Sequence, residues 1–144
     1  MRTLFLDVDG VLNRTGYRPA ASTGLASWIE AELGARLERL IEAVGARVVM
    51  CSDWRVGRTL AQLNAELRDA GLAIALHGVT PVLAGAARWR EIAAWMAAQQ
   101  VAAHDVVILD DEHDMGELAA RHIRISPLRG LDDDAVAAAR ALFE

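Results

Sequence analysis

Two carboxylates, Asp7 and Asp9, stand two positions apart where an apolar run, Leu4-Phe5-Leu6, meets Gly10. Strand side chains alternate with a period of two, so both project to the same side of the chain end. Gly10 can adopt positive φ and turn the backbone sharply away, leaving little bulk beyond the pair. Two aligned carboxylates in such a place suit a hard divalent cation and a transferable phosphoryl group. Further on stand Ser52-Asp53-Trp54-Arg55, a run Asp110-Asp111-Glu112-His113-Asp114, and the pair Arg88 and Arg90. Each of these groups alone is open to a bland reading: a polar turn, a helix cap or a solvated face.

The elements that position these groups are legible from periodicity. Thr3 to Val8 reads as a buried strand, followed by a loop over Asn13 to Thr23. Leu25, Trp28, Ile29, Leu33, Leu37, Leu40, Ile41 and Val44 recur at three- and four-residue steps. They predict an amphipathic helix with an interruption near Gly34 and a stop at Gly45. Ala46 to Cys51 is a second strand, Thr59 to Ala70 a second helix, and Leu72 to Leu76 a third strand ending at His77-Gly78. Arg88 to Gln100 is a third helix, Val106 to Leu109 a fourth strand, His122 to Ile125 a fifth, and Asp132 to Phe143 a closing helix.

Strands alternating with helices imply right-handed βαβ units and a Rossmann-like three-layer αβα sandwich around a central, mainly parallel five-stranded sheet, with residues 1–144 as a single domain. Ligands in such sheets bind beyond the carboxyl ends of the strands. Asp7 and Asp9, Ser52, and Asp110 with Asp111 all follow strands, and Arg88 and Arg90 open a helix. The topology therefore gathers them at one edge.

Composition narrows the function classes. Of the 144 residues 53% are hydrophobic and 24% charged, the balance of a folded globular chain. The formal net charge is −5, which gives no global basic footprint for long nucleic acid. All 15 basic residues are Arg, so any cationic catalytic group must be Arg or His. The single Cys51 allows no internal disulfide and fits a reducing compartment. The first strand follows Met1 at once and no apolar stretch is long enough for a bilayer, so the expectation is a cytoplasmic protein with no signal peptide or membrane partner. The four His are scattered without metal-ligand spacing, and Cys51 reads as inert core. Trp28, Trp89 and Trp95 fall at helical apolar spacing and read as packing. Trp54, beside Arg55 and Arg58, is placed either to meet a base or sugar next to a phosphate or to pack at the surface.

The segments FLDVDGVLN, Ser52, Arg88 with Arg90, and VVILDDEHD, in this order across residues 5 to 114, resemble the haloacid dehalogenase (HAD) superfamily of phosphotransferases. RWREIAAWM followed by VVILDDEHDM is most similar to small HAD domains associated with nucleic-acid end repair. The resemblance implies a HAD-like phosphatase in which Asp7 is the nucleophile, forming an aspartyl-phosphate, and Asp9 the general acid and base. It implies Mg²⁺ held by the Asp7 carboxylate, the Asp9 main-chain carbonyl and Asp110, with Asp111 binding directly or through water. Ser52 would donate to a phosphate oxygen; Asp53, Trp54 and Arg55, by position beside it, and Arg90, at the start of the third helix, are the candidates to meet the substrate. The family's usual Lys is missing here, and Arg88 is the expected replacement, with Arg90 in reserve. A guanidinium does not deprotonate, so its role would be electrostatic.

Neither Asn13 to Val44 nor Trp54 to Ala87 could bury an independent core, so no substantial cap domain is expected over the site. An open site points to a phosphorylated macromolecule as partner, a nucleic-acid end ahead of a phosphoprotein and both ahead of small phosphoesters. The competing reading is a non-hydrolytic phosphate-binding module or a receiver-like phosphoacceptor. A receiver carries its phosphoacceptor Asp after the middle strand, where this chain offers His77-Gly78.

Overall fold

The computed structural model describes residues 1–21 and 24–144. Its centre is one five-stranded sheet in the order β3-β2-β1-β4-β5. The strands are β1 (Thr3–Leu6), β2 (Arg47–Met50), β3 (Leu76–Val79), β4 (Val106–Asp110) and β5 (His122–Arg124). Every pairing is parallel. The helices are α1 (Ala31–Val44), α2 (Leu60–Asp69), α3 (Arg88–Gln99) and α4 (Asp133–Phe143).

The period-two alternation divides the sheet's side chains between two apolar layers. Leu4, Leu6, Val48, Met50, Val107 and Leu109 enter the larger one, beneath α1, α2 and α4. Phe5, Val49, Cys51 and Ile108 enter the smaller, beneath α3. There Phe5 meets Trp95 edge-on at 5.5 Å. By the same alternation Asp110, the last residue of β4, and Asp7 and Cys51, just beyond β1 and β2, continue the smaller layer's rows toward the start of α3.

Two expectations need correction. The apolar period from Leu25 onward is not one helix interrupted near Gly34. A 3₁₀ turn, Leu25–Trp28, is followed by an extended break at Ile29 and Glu30, and α1 then runs unbroken through Gly34. Glu30 is held extended by long-range bonds: its N–H donates to the Leu12 carbonyl (2.8 Å) and its carboxylate accepts from the Arg14 N–H (2.7 Å). Gly34 serves close packing, since a Cβ there would lie 2.8 Å from Leu72 Cδ2.

The third strand lies at Leu76–Val79, not at 72–76. Leu72 and Ile74 are buried without pairing, and the Asn64 side chain takes the Leu76 N–H at 2.8 Å. His77 and Gly78 are thus inside the strand, where Gly78 pairs opposite Val49 and lies beside the Trp95 ring. Thr80 and Pro81 follow the strand end, so the argument against a phosphoacceptor Asp there still holds.

The loop expected over 13–23 runs through residues 14–21 without helix or strand, while Ser22 and Thr23 lie outside the described residues. Among the described residues no helix is long and apolar enough to cross a membrane. Among the described residues no cap stands over the strand ends: the interval after β1 holds the loop, the 3₁₀ turn and α1, and the interval after β2 holds α2 and β3.

Candidate active site

β1 and β4 are neighbours in register, Leu6 opposite Leu109, so their first residues beyond the apolar rows meet. The Asp7 N–H donates to the Leu109 carbonyl at 3.0 Å, and the Cys51 N–H to that of Leu6 at 3.0 Å. Asp7, Asp110 and Asp111 each offer an oxygen within 4.8 Å of the others. The Asp7 side chain is 6% exposed and that of Asp110 is fully buried. Gly10 makes this possible: its φ is +83°, and a Cβ at this position would collide with the Asp111 carboxylate.

Arg88, the first residue of α3, lies across the cluster. Its Nη1 stands 3.2 Å from Asp7 Oδ1 and 3.0 Å from Asp110 Oδ2, and its Nη2 is 3.3 Å from Asp53 Oδ1. Asp110 also accepts from the Glu112 N–H (2.9 Å) and from the Cys51 thiol (3.6 Å). Burial, then Asp110 and Asp7, hold the thiol well above its ordinary pKa, so it serves as a neutral donor in the floor of the site.

One guanidinium does not balance three carboxylates. Burial first, and Asp110 second, push Asp7 up to about 9 against the opposing pull of Arg88. Asp111 is raised as well, chiefly by burial, with hydrogen bonding to Asp7 opposing the rise. Burial alone would weaken the hold of Arg88 on its proton, but Asp110 and Asp7 outweigh it and raise its pKa. The cluster thus takes up a proton for want of positive charge. An oxygen-only donor set with a charge deficit fits a hard divalent cation such as Mg²⁺.

Asp9 faces elsewhere. Its Oδ1 accepts from the Trp54 indole N–H at 3.2 Å and from the Asn13 amide at 3.0 Å. Asn13 is itself fixed, donating to the Trp28 carbonyl (2.9 Å) and accepting from the Gly10 N–H (3.1 Å). Both side-chain donors fall on Oδ1 and, among the described residues, leave Oδ2 open. Ser52 begins the turn after β2 and its Oγ accepts from the Trp54 N–H at 3.2 Å. It therefore acts as the cap, while its own hydroxyl proton stays available.

The remaining sequence-based candidates separate. Asp53 is exposed and tied to Arg88. Trp54 stands beside Asp9 with the Arg58 guanidinium 4.9 Å from its ring centroid. Arg90 stacks on the Trp89 ring at 4.5 Å and, among the described residues, pairs with no carboxylate of the cluster. The geometry therefore selects Arg88 over Arg90 as the cation at the carboxylates.

Arg55 is a correction. It is buried, and all five of its N–H donors face protein acceptors: the carbonyls of Thr80, Cys51, Ser52 and Pro81 and the Glu91 carboxylate at 2.9 Å. It ties the loops after β2 and β3 to α3 and has no donor left for a substrate. Trp28, expected to pack, is half-buried against Tyr17 and also lines a groove next to Asp9.

Asn13 and Cys51 are the functional positions that sequence reasoning missed. Asn13 closes the opening motif, four residues after Asp9, a spacing that could have suggested a turn returning to it. Nothing local to Cys51 signals the contact to Asp110, because pairing across β1 brings them together.

A family model described as the HAD domain in Swiss Army Knife RNA repair proteins matches residues 3–136. The chain belongs to this family. Among solved structures, an uncharacterized protein from Corynebacterium glutamicum ATCC 13032 Kitasato has the same fold, with a TM-score of 0.59 at 21% identity over 99% of this chain and 95% of that one. No curated protein sequence matches the chain. HAD-family membership supports phosphatase chemistry in general, and the buried Asp7, Asp110 and Asp111 are compatible with the Mg²⁺ that HAD domains generally use.

Proposed function

We propose that this HAD domain is a Mg²⁺-dependent phosphomonoesterase acting on a phosphate carried by a macromolecule, a nucleic-acid end first. The observation that carries the reading is the separation of two carboxylates of one motif into two environments. Asp7 is buried beside Asp110, Asp111 and Arg88, while Asp9 is exposed with one oxygen fixed and the other open. That division supports different roles for the two groups.

In this reading an Asp7 oxygen attacks phosphorus. The new bond to Asp7 forms as the bond to the leaving oxygen breaks, and Asp9 delivers its proton to that oxygen through Oδ2. A water then attacks the aspartyl-phosphate, Asp9 recovers a proton from it, and the Asp7–phosphorus bond breaks to release phosphate. Asp7, Asp110, Asp111 and the Asp9 main-chain carbonyl would hold Mg²⁺. The cation supplies positive charge that lets Asp7 react as a carboxylate and offsets repulsion between anions. Arg88 adds charge to the same end, and the Ser52 hydroxyl donates to a phosphate oxygen. Asp53 and Trp54 line the approach.

The absence of a cap and the family's description both favour a macromolecular phosphate. The test is phosphate release, with and without Mg²⁺, from 5′- and 3′-phosphorylated oligonucleotides, phosphopeptides and small phosphoesters, with Asp7→Asn alongside. Mg²⁺-dependent release lost in the variant is the expected outcome. Undiminished release by Asp7→Asn refutes the nucleophile assignment, and preference for phosphopeptides refutes the substrate ordering.

A further inference from the structure

A groove of about 420 Å³ opens beside Asp9, and Asp7, Asp110 and Asp111 are not among its lining residues. Its walls include Tyr17, Trp28 and Trp54, with Arg14 and Arg18 at its margin. That volume lies within the range of roughly 300–1,000 Å³ usual for small-ligand sites. The chain has seven Trp, Tyr and Phe side chains. Three of them line this groove half-buried.

These rings are held in place. Tyr17 meets Trp28 edge-on at 6.2 Å and 70°, and its hydroxyl donates to the Ser27 carbonyl at 3.3 Å. Trp54 is fixed through Asp9 on its indole N–H and backed by Arg58. Arg14 is engaged by Glu32 at 2.8 Å, whereas Arg18 is exposed and, among the described residues, bonds only to the neighbouring Tyr17 carbonyl at 3.0 Å.

Position gives the groove its meaning. Asp9 is among its lining residues, and in the proposed reaction the group protonated by Asp9 is the one that leaves. Whatever fills the groove is therefore the leaving-group side of the substrate. Preset aromatic faces with guanidinium groups at the margin favour a flat, aromatic, anion-linked group, which describes a nucleoside with its next phosphate. A peptide backbone offers such walls nothing to stack.

We infer that this groove, between Tyr17, Trp28 and Trp54, binds the terminal nucleoside of a single-stranded nucleic-acid end, with Arg18 meeting the adjoining phosphodiester. The inference rests on the phosphatase reading for the direction of the substrate, but binding in the groove can be measured without turnover. A terminal base paired in a duplex is stacked on its neighbour and must be freed to enter, so single-stranded ends are preferred.

The experiment measures quenching of tryptophan fluorescence by an unphosphorylated dinucleotide in EDTA, with the wild-type protein, Tyr17→Ala and Arg18→Ala. Saturable quenching by the dinucleotide is expected, weakened about tenfold by Tyr17→Ala. Arg18→Ala should weaken it less and reduce its salt dependence. Arg18 is exposed, so that variant reports even if Tyr17→Ala proves unfolded by circular dichroism. No saturable quenching, or equal binding by wild type and every folded variant, overturns the inference. Should the dinucleotide bind while no phosphoester is hydrolysed, the groove stands and the phosphatase reading falls. If phosphate is released from nucleotides and phosphopeptides alike, with no dinucleotide binding, the reverse is true.

Discussion

In the metal-free protein, Asp7→Asn should flatten the dependence of stability on pH. Asp7 titrates near 3.8 in the unfolded chain and is pushed up to about 9 in the fold. Between those values the native state keeps a proton that the unfolded state releases, so native stability falls as pH rises. Each pH unit in that window costs about 1.4 kcal/mol, and the span from pH 5 to pH 8 costs on the order of 4 kcal/mol. Asp111, also raised, adds to the fall in the same direction.

Asn keeps the shape and hydrogen-bonding reach of Asp without titrating, so the pH 5 comparison isolates any change in packing. Urea unfolding in EDTA at pH 5, 6, 7 and 8 measures the effect. The variant should gain about 4 kcal/mol on the wild type over this range, whatever their difference at pH 5. Mg²⁺ should stabilise the wild type more at pH 8 than at pH 5 if protons leave on binding, and should lose most of this effect in the variant. Parallel stability curves for the two proteins would refute the argument, because they would show that Asp7 ionises normally without a cation.

Other consequences concern single side chains. Arg55→Ala removes a buried guanidinium from four carbonyls and leaves Glu91 uncompensated. It should cost about 3–5 kcal/mol in urea unfolding, and a loss under 1 kcal/mol would contradict its structural role. Arg88→Ala should lower phosphate release by about 100-fold, whereas Arg90→Ala should change it less than about twofold; equal losses would undo the choice between them. Trp54→Phe deletes the indole N–H on Asp9. It should slow hydrolysis of alkyl phosphates about tenfold while sparing esters of acidic phenols, which leave without proton donation. A uniform fall in both would indicate a purely structural effect.

The strand-ending carboxylates, the parallel sheet and the edge at which Asp7, Asp9, Ser52, Arg88 and Asp110 gather were all legible in the sequence. Periodicity marks buried faces, and right-handed βαβ connection leaves few ways to arrange them. The sequence also pointed to Arg88, because a helix opening before β4 brings its first residue to the strand ends.

Local pattern failed where a distant contact decided the outcome. Glu30 is extended because Leu12 and Arg14 bind it, and Gly78 continues a strand because it pairs opposite Val49 of β2. Arg55 looked like a substrate ligand because it follows Ser52, yet the turn carries its side chain inward to Glu91 and the loop at Thr80. Trp28 carried a helical period that the chain abandons at Ile29, and it lines the groove instead. Sequence spacing thus determined which groups reach the edge. The tertiary structure decided which of them face a ligand, because inward or outward direction depends on partners far along the chain that no local period encodes.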